Sequence, residues 1–115
     1  MGKKILLLIR SDPRKSALPA EAVRIGLGLA SAGHVLEIVL SAHAPLLLTE
    51  SPEDIVDGEQ AMSYLETLRD YLPVLSIEKR EGKKIDPSES PFKVDFVSKE
   101  MLAKRLAASQ CFLAF

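Results

Sequence analysis

Residues Lys3–Arg10, KKILLLIR, decide the fold. Ile5, Leu6, Leu7, Leu8 and Ile9 form an unbroken apolar run between two lysines and the polar stop Arg10-Ser11-Asp12-Pro13. The run is too short for an ordinary helix and does not alternate. It reads as a strand buried on both faces, as in the interior of a parallel sheet. In such sheets ligands bind outside the carboxyl ends of the strands. The loop from Ser11 onward is therefore the first place to look for function.

The next segments extend the pattern. Pro19–Ala32 predicts a helix, with Leu18, Ala22, Ile25, Leu29 and Ala32 as its apolar stripe and Gly33 as its stop. His34–Ser41, HVLEIVLS, predicts a second strand broken only by Glu37. Strand, helix and strand make one βαβ unit with a right-handed crossover. Ala42–Pro45 forms the second carboxyl-end loop, and a short helix begins at Pro45-Leu46-Leu47-Leu48. Glu50–Gly58 reads as an exposed loop, and Gln60–Leu72 as a helix with Met62, Leu65, Leu68 and Leu72 inward, ended by Pro73.

Val74–Glu78 predicts a third strand. Lys79, Arg80, Lys83 and Lys84 sit in a charged turn, and Asp86–Pro91 forms a flexible connection. Phe92–Val97 alternates, as a half-exposed strand near a sheet edge does. Ser98 is a natural N-cap for a helix to about Ala108 with Met101, Leu102, Arg105 and Leu106 on its inner face. Gln110–Phe115 reads as a buried final strand. The class is α/β, with five predicted strands and a βαβ unit that calls for parallel pairing. The 115 residues form a single domain.

Composition bounds the function. The formal net charge of −1 lacks the basic excess of a dedicated nucleic-acid binder. The absence of Trp and the low aromatic content leave no stacking platform. One cysteine rules out an internal disulfide framework and suits a reducing, cytoplasmic setting. No apolar stretch reaches the roughly 20 residues of a membrane span. Two isolated histidines make a poor metal site, and no cofactor motif is present. Gly26, Gly28 and Gly33 lie within or after a helix, not in a strand-to-helix turn, so they are no dinucleotide fingerprint. Close packing of helix on sheet is the expected reason for them.

Ser11, Asp12 and Arg14 in the first loop and His43 in the second are the candidate binding residues. Arg14 and Lys15, beside a helix N-terminus, suit an anion. The competing reading is a solvated loop, and a lone loop histidine is more often simply exposed. Cys111 is the sole candidate nucleophile, and its place in an apolar strand between Gln110 and Phe112 reads as that of a buried, inert thiol.

KKILLLIRSDP, AEAVRIGLGLASAGH, LEIVLSAHA with PLLL, and the ending VSKEMLAKRLAASQCFLAF together resemble the DsrE/DsrF-like family of small sulfur-relay proteins, nearest its TusC/DsrF branch. The resemblance spans nearly the whole chain. It implies a three-layer, flavodoxin-like α/β domain with a mostly parallel sheet of about five strands, assembly into homo- or hetero-oligomers with related subunits, and contact with a sulfur-carrier protein. Some members carry persulfide sulfur on a cysteine after a middle strand, about Ile77–Lys84 here. This chain has IEKREGKK there. The resemblance thus implies a non-catalytic or binding subunit. A small-molecule or anion-binding domain and a sulfurtransferase using Cys111 are the alternatives, so enzymatic activity stays open.

Overall fold

The computed structural model describes residues 2–79 and 92–115. The expected connection over 86–91, and the basic turn beyond Lys79, lie outside the described residues. Among the described residues five strands form one sheet: β1 (Lys4–Ile9), β2 (Val35–Leu40), β3 (Val74–Glu78), β4 (Lys93–Val97) and β5 (Cys111–Ala114). The described α-helices are α1 (Leu18–Ser31), α2 (Leu46–Thr49), α3 (Gly58–Leu68) and α4 (Lys99–Ala108). The strand order is β4-β3-β2-β1-β5, and every pairing is parallel.

The opening run occupies the interior position its composition requires. Lys4–Ile9 pairs with Val35–Leu40 on one side, and Ile5–Leu8 with Cys111–Ala114 on the other. Ile5, Leu7 and Ile9 enter the larger core with α1, α3, Leu36, Ile38, Leu40, Leu75 and Ile77. Leu6 and Leu8 point the other way, into a smaller cluster with Val39, Val97 and Leu102 of α4. Alternation along the strand therefore feeds two apolar layers, and each fully buried aliphatic side chain contributes about 1.5–3 kcal/mol.

α1 keeps Ala22, Ile25 and Leu29 of the expected stripe against the core, but the inward face is shifted at its ends. Pro19, Ala20, Ala22, Val23 and Gly26 are buried, whereas Leu18 is exposed. Small residues bring the helix backbone down onto β2: a Cβ on Gly26 would stand 3.4 Å from Ile38 Cδ1 and 3.5 Å from Leu36 Cδ2. The packing explanation holds for Gly26 but not for Gly28, which faces open space. Gly33, at φ 90°, ends the helix in the left-handed conformation.

Four further expectations need correction. Glu50–Gly58 is not merely exposed: it holds a 3-10 turn at Pro52–Asp54, and Ile55 and Gly58 are buried. α3 starts at Gly58 and ends at Leu68, because the turn before Pro73 tightens into i→i+3 bonds, Asp70 N to Thr67 O and Tyr71 N to Leu68 O. β4 is an edge strand as expected, but Phe96 is exposed and Val97 is the buried residue, under α4.

β5 is the opposite edge and not a buried strand. Cys111 and Leu113 are half-buried, and Phe112 and Ala114 are exposed. A run of apolar residues looks the same whether it has one neighbouring strand or two, and among the described residues β5 pairs with β1 alone. The Ser98 cap is present, its Oγ accepting from Met101 N at 3.1 Å, yet Met101 itself points outward.

Candidate functional site

All strands run the same way, so the loops after β1 and β2 leave from one rim of the sheet. Ser41 N donates to Ile9 O at 2.9 Å, and Arg10 N to Phe115 O at 2.7 Å, which locks the two exits and the end of β5 together. Ser11 N also reaches Phe115 O, at 3.3 Å.

The first loop is built by Asp12. Its Oδ1 accepts from Arg14 N at 2.9 Å and Arg14 Nε at 3.1 Å, and its Oδ2 accepts from Arg14 Nη2 at 2.8 Å. Its carbonyl accepts from Lys15 N and Ser16 N. This is an Asx-type turn, closed by a fork-shaped ion pair. Pro13 is fully buried beneath it, and its carbonyl accepts from Val56 N at 2.9 Å. The segment read as an exposed loop thus clamps the first loop from below. Ser16 Oγ accepts from Leu18 N and leads the chain into α1.

The second loop needs strain to turn. Ala42 adopts φ 57°, in the left-handed region. Ala44 and Pro45 are buried beyond it, leaving His43 exposed between two anchors. The hydrogen bonds from Arg14 hold the Asp12 carboxyl well below the usual carboxylate range, and the charge of His43 adds to that effect from the neighbouring loop. The hydrogen bond to Asp12 raises Arg14, with a further contribution from Glu50.

The fold therefore gathers Asp12, Arg14, His43 and Glu50 into one electrostatic neighbourhood, and Ser11 joins it through the chain. Arg14 is already engaged by Asp12, so its charge is largely compensated locally. Glu50 had no place in the expected site; its only sequence signal is its position one residue after a short helix.

Cys111 lies at the other pole. It pairs with Ile5, four residues below Ile9 on β1, or about 13 Å from the rim along the strands. It is half-buried against the larger core, not sealed within it as expected. Among the described residues no group of three or more His, Cys, Asp or Glu is arranged to hold a metal ion. None of the described helices is long and apolar enough to cross a membrane.

Two features were not anticipated. An apolar groove of about 230 Å³ lies between α2 and α3, lined by Leu47, Leu48, Met62, Leu65, Glu66 and Phe92. It includes neither Ser11 nor His43. On the opposite sheet face, Arg105 of α4 reaches Glu37 on β2, Ser76 on β3 and Asp95 on β4. Its one sequence signal is Glu37 interrupting an apolar strand.

A three-layer α/β domain with an all-parallel five-stranded sheet is the class these observations define. Among solved structures, the crystal structure of the ychN protein from E. coli matches with a TM-score of 0.68 at 17% identity, covering 98% of this chain and 99% of that one. The fold is therefore DsrE-like and flavodoxin-like, and at that identity the likeness speaks to fold alone. No family profile matches the sequence, and no curated protein does.

Proposed function

We propose that this chain is a non-catalytic binding subunit of a DsrE/DsrF-like, sulfur-relay-type oligomer, of the TusC/DsrF kind. The observation that carries the reading is the position of the sole thiol. Cys111 sits on an edge strand at the amino pole of the sheet, away from the rim where the loops converge. The stretch after β3 that carries the relay cysteine in some relatives is IEKREGKK here. A DsrE-like scaffold without a thiol at its functional rim suits recognition better than sulfur transfer.

The surface supports a subunit role. Val35, Val74, Phe112 and Met101 are large apolar side chains left exposed on the α4 side of the molecule. Solvent-facing apolar groups of this kind favour association with related subunits or a sulfur-carrier protein. The rim, with Asp12, Arg14 and His43, is the surface assigned to partner recognition.

Light scattering on the purified chain at micromolar concentration tests the subunit role. A mass at least twice that of the chain is expected. A strict monomer throughout that range contradicts it.

A further inference from the structure

The two edges of the sheet differ in a way that assigns a partner to one of them. β4, KVDFV, carries Lys93 and Asp95 on an exposed border. Charges of this kind guard an edge against pairing with another strand. β5, CFLA, carries none. Residues Leu106–Phe115 include no charged side chain at all, in a chain that is 27% charged overall. α4 ends in Ala107 and Ala108, both exposed and short, and two residues separate them from β5.

The backbone of β5 has a free side. Phe115 N donates to Leu8 O at 2.8 Å and Phe115 O accepts from Arg10 N, so Phe115 turns its peptide groups toward β1. Leu113 and Cys111, two and four residues earlier, do likewise. Phe112 and Ala114 therefore point N–H and C=O away from the sheet, and among the described residues no strand lies beside them. Phe112 is also 46% exposed. Unpaired main-chain groups on an uncharged apolar edge select an extended strand as their partner.

We propose that β5 pairs antiparallel with β5 of a second copy of this chain, about a two-fold axis through Leu113. This rests on the subunit reading above and names the surface that serves it. A β5-to-β4 contact would propagate without limit and would meet the guarded edge. A β5-to-β5 contact closes on itself and leaves only guarded edges outside. The register follows from the free groups. Gln110 N is already given to Lys4 O at 3.0 Å, so it cannot serve a neighbour. Only an axis at Leu113 pairs Phe112 with Ala114 of the second copy, using the outward groups alone and setting a large side chain against a small one. Leu113 then faces its own copy in a non-hydrogen-bonded pair, with Cα atoms about 4.5 Å apart, within the range a disulfide spans.

The experiment uses the full chain. In a Cys111→Ser background, Leu113→Cys should cross-link to a covalent dimer under mild oxidation, while Phe112→Cys should not. Phe112→Lys should weaken self-association by roughly tenfold or more with its circular dichroism unchanged, because it puts like charges across the axis. An oligomer whose mass ignores Phe112→Lys, and whose Leu113→Cys form does not cross-link, overturns the edge pairing and leaves the subunit reading standing. A strictly monomeric wild type overturns both. Should Phe112→Lys fail to fold, the Leu113→Cys cross-link decides alone.

Discussion

Arg105 Nη1 lies 2.5 Å from Glu37 Oε2, tying the last helix to the second strand across 68 residues of sequence. The same guanidinium touches Ser76 Oγ at 3.3 Å and Asp95 Oδ2 at 3.3 Å, so one side chain spans β2, β3 and β4. Burial opposes its charge, but Glu37 and Asp95 outweigh that and hold Arg105 above its ordinary value. Leu102 is the only buried side chain of α4, with Leu106 partly buried beside it. The polar clamp therefore fixes where α4 sits on the sheet.

Arg105→Met should lower stability by about 1–2 kcal/mol, between the values for exposed and buried pairs, because Glu37 is left on the sheet without its partner. The double variant Arg105→Met with Glu37→Leu should recover most of that loss. Urea unfolding with an unchanged slope reads both values. Equal losses in the single and double variants would remove the clamp.

Asp12 predicts a pH dependence. Its folded carboxyl lies below the ordinary value of 3.8, chiefly through the Arg14 hydrogen bonds. The ionised form therefore favours the folded state above about pH 4, and that contribution is lost as pH falls below the unfolded value. The melting-temperature difference between wild type and Asp12→Asn should be constant above about pH 5 and shrink below about pH 4. A difference that grows on acidification would contradict the Asp12–Arg14 geometry.

Two glycines should respond in opposite directions to alanine. Gly28 is exposed within α1, with no atom within 4 Å of an added Cβ. Gly28→Ala should therefore stabilise by about 0.5–1 kcal/mol through helix propensity. At Gly58 an added Cβ would stand 1.9 Å from the Pro52 carbonyl oxygen. Gly58→Ala should cost about 2 kcal/mol or more, because backbone must move. Thermal unfolding distinguishes them. Equal effects would mean that the Pro52–Gly58 contact is loose.

The parts of the fold legible in the sequence are those set by local pattern. Ile5–Ile9 names an interior strand, Gly33 a helix stop, and Ser98 an N-cap. What was hidden depends on neighbours far along the chain. Gln110–Phe115 reads as buried because composition does not say how many strands flank it. The stripe of α1 was legible at Ala22, Ile25 and Leu29 but not at its ends, where close approach to the sheet favours Ala20, Val23 and Gly26 and leaves the larger Leu18 exposed. In the candidate site, Asp12, Arg14 and His43 could be named from their loops. Their proximity to Glu50 could not, since it depends on how the chain after β2 folds back. The Pro13–Val56 clamp was equally hidden, because a buried proline in a polar loop has no sequence mark.

As a relay-type scaffold, the proposed subunit has a thiol that carries no sulfur between proteins. The direct measurement is intact mass after loading the native chain with a low-molecular-weight persulfide, followed by exposure to an acceptor thiol. Native Cys111 should hold no transferable sulfur, and wild type should be indistinguishable from Cys111→Ser. Stoichiometric uptake at Cys111 that passes on to the acceptor would contradict it.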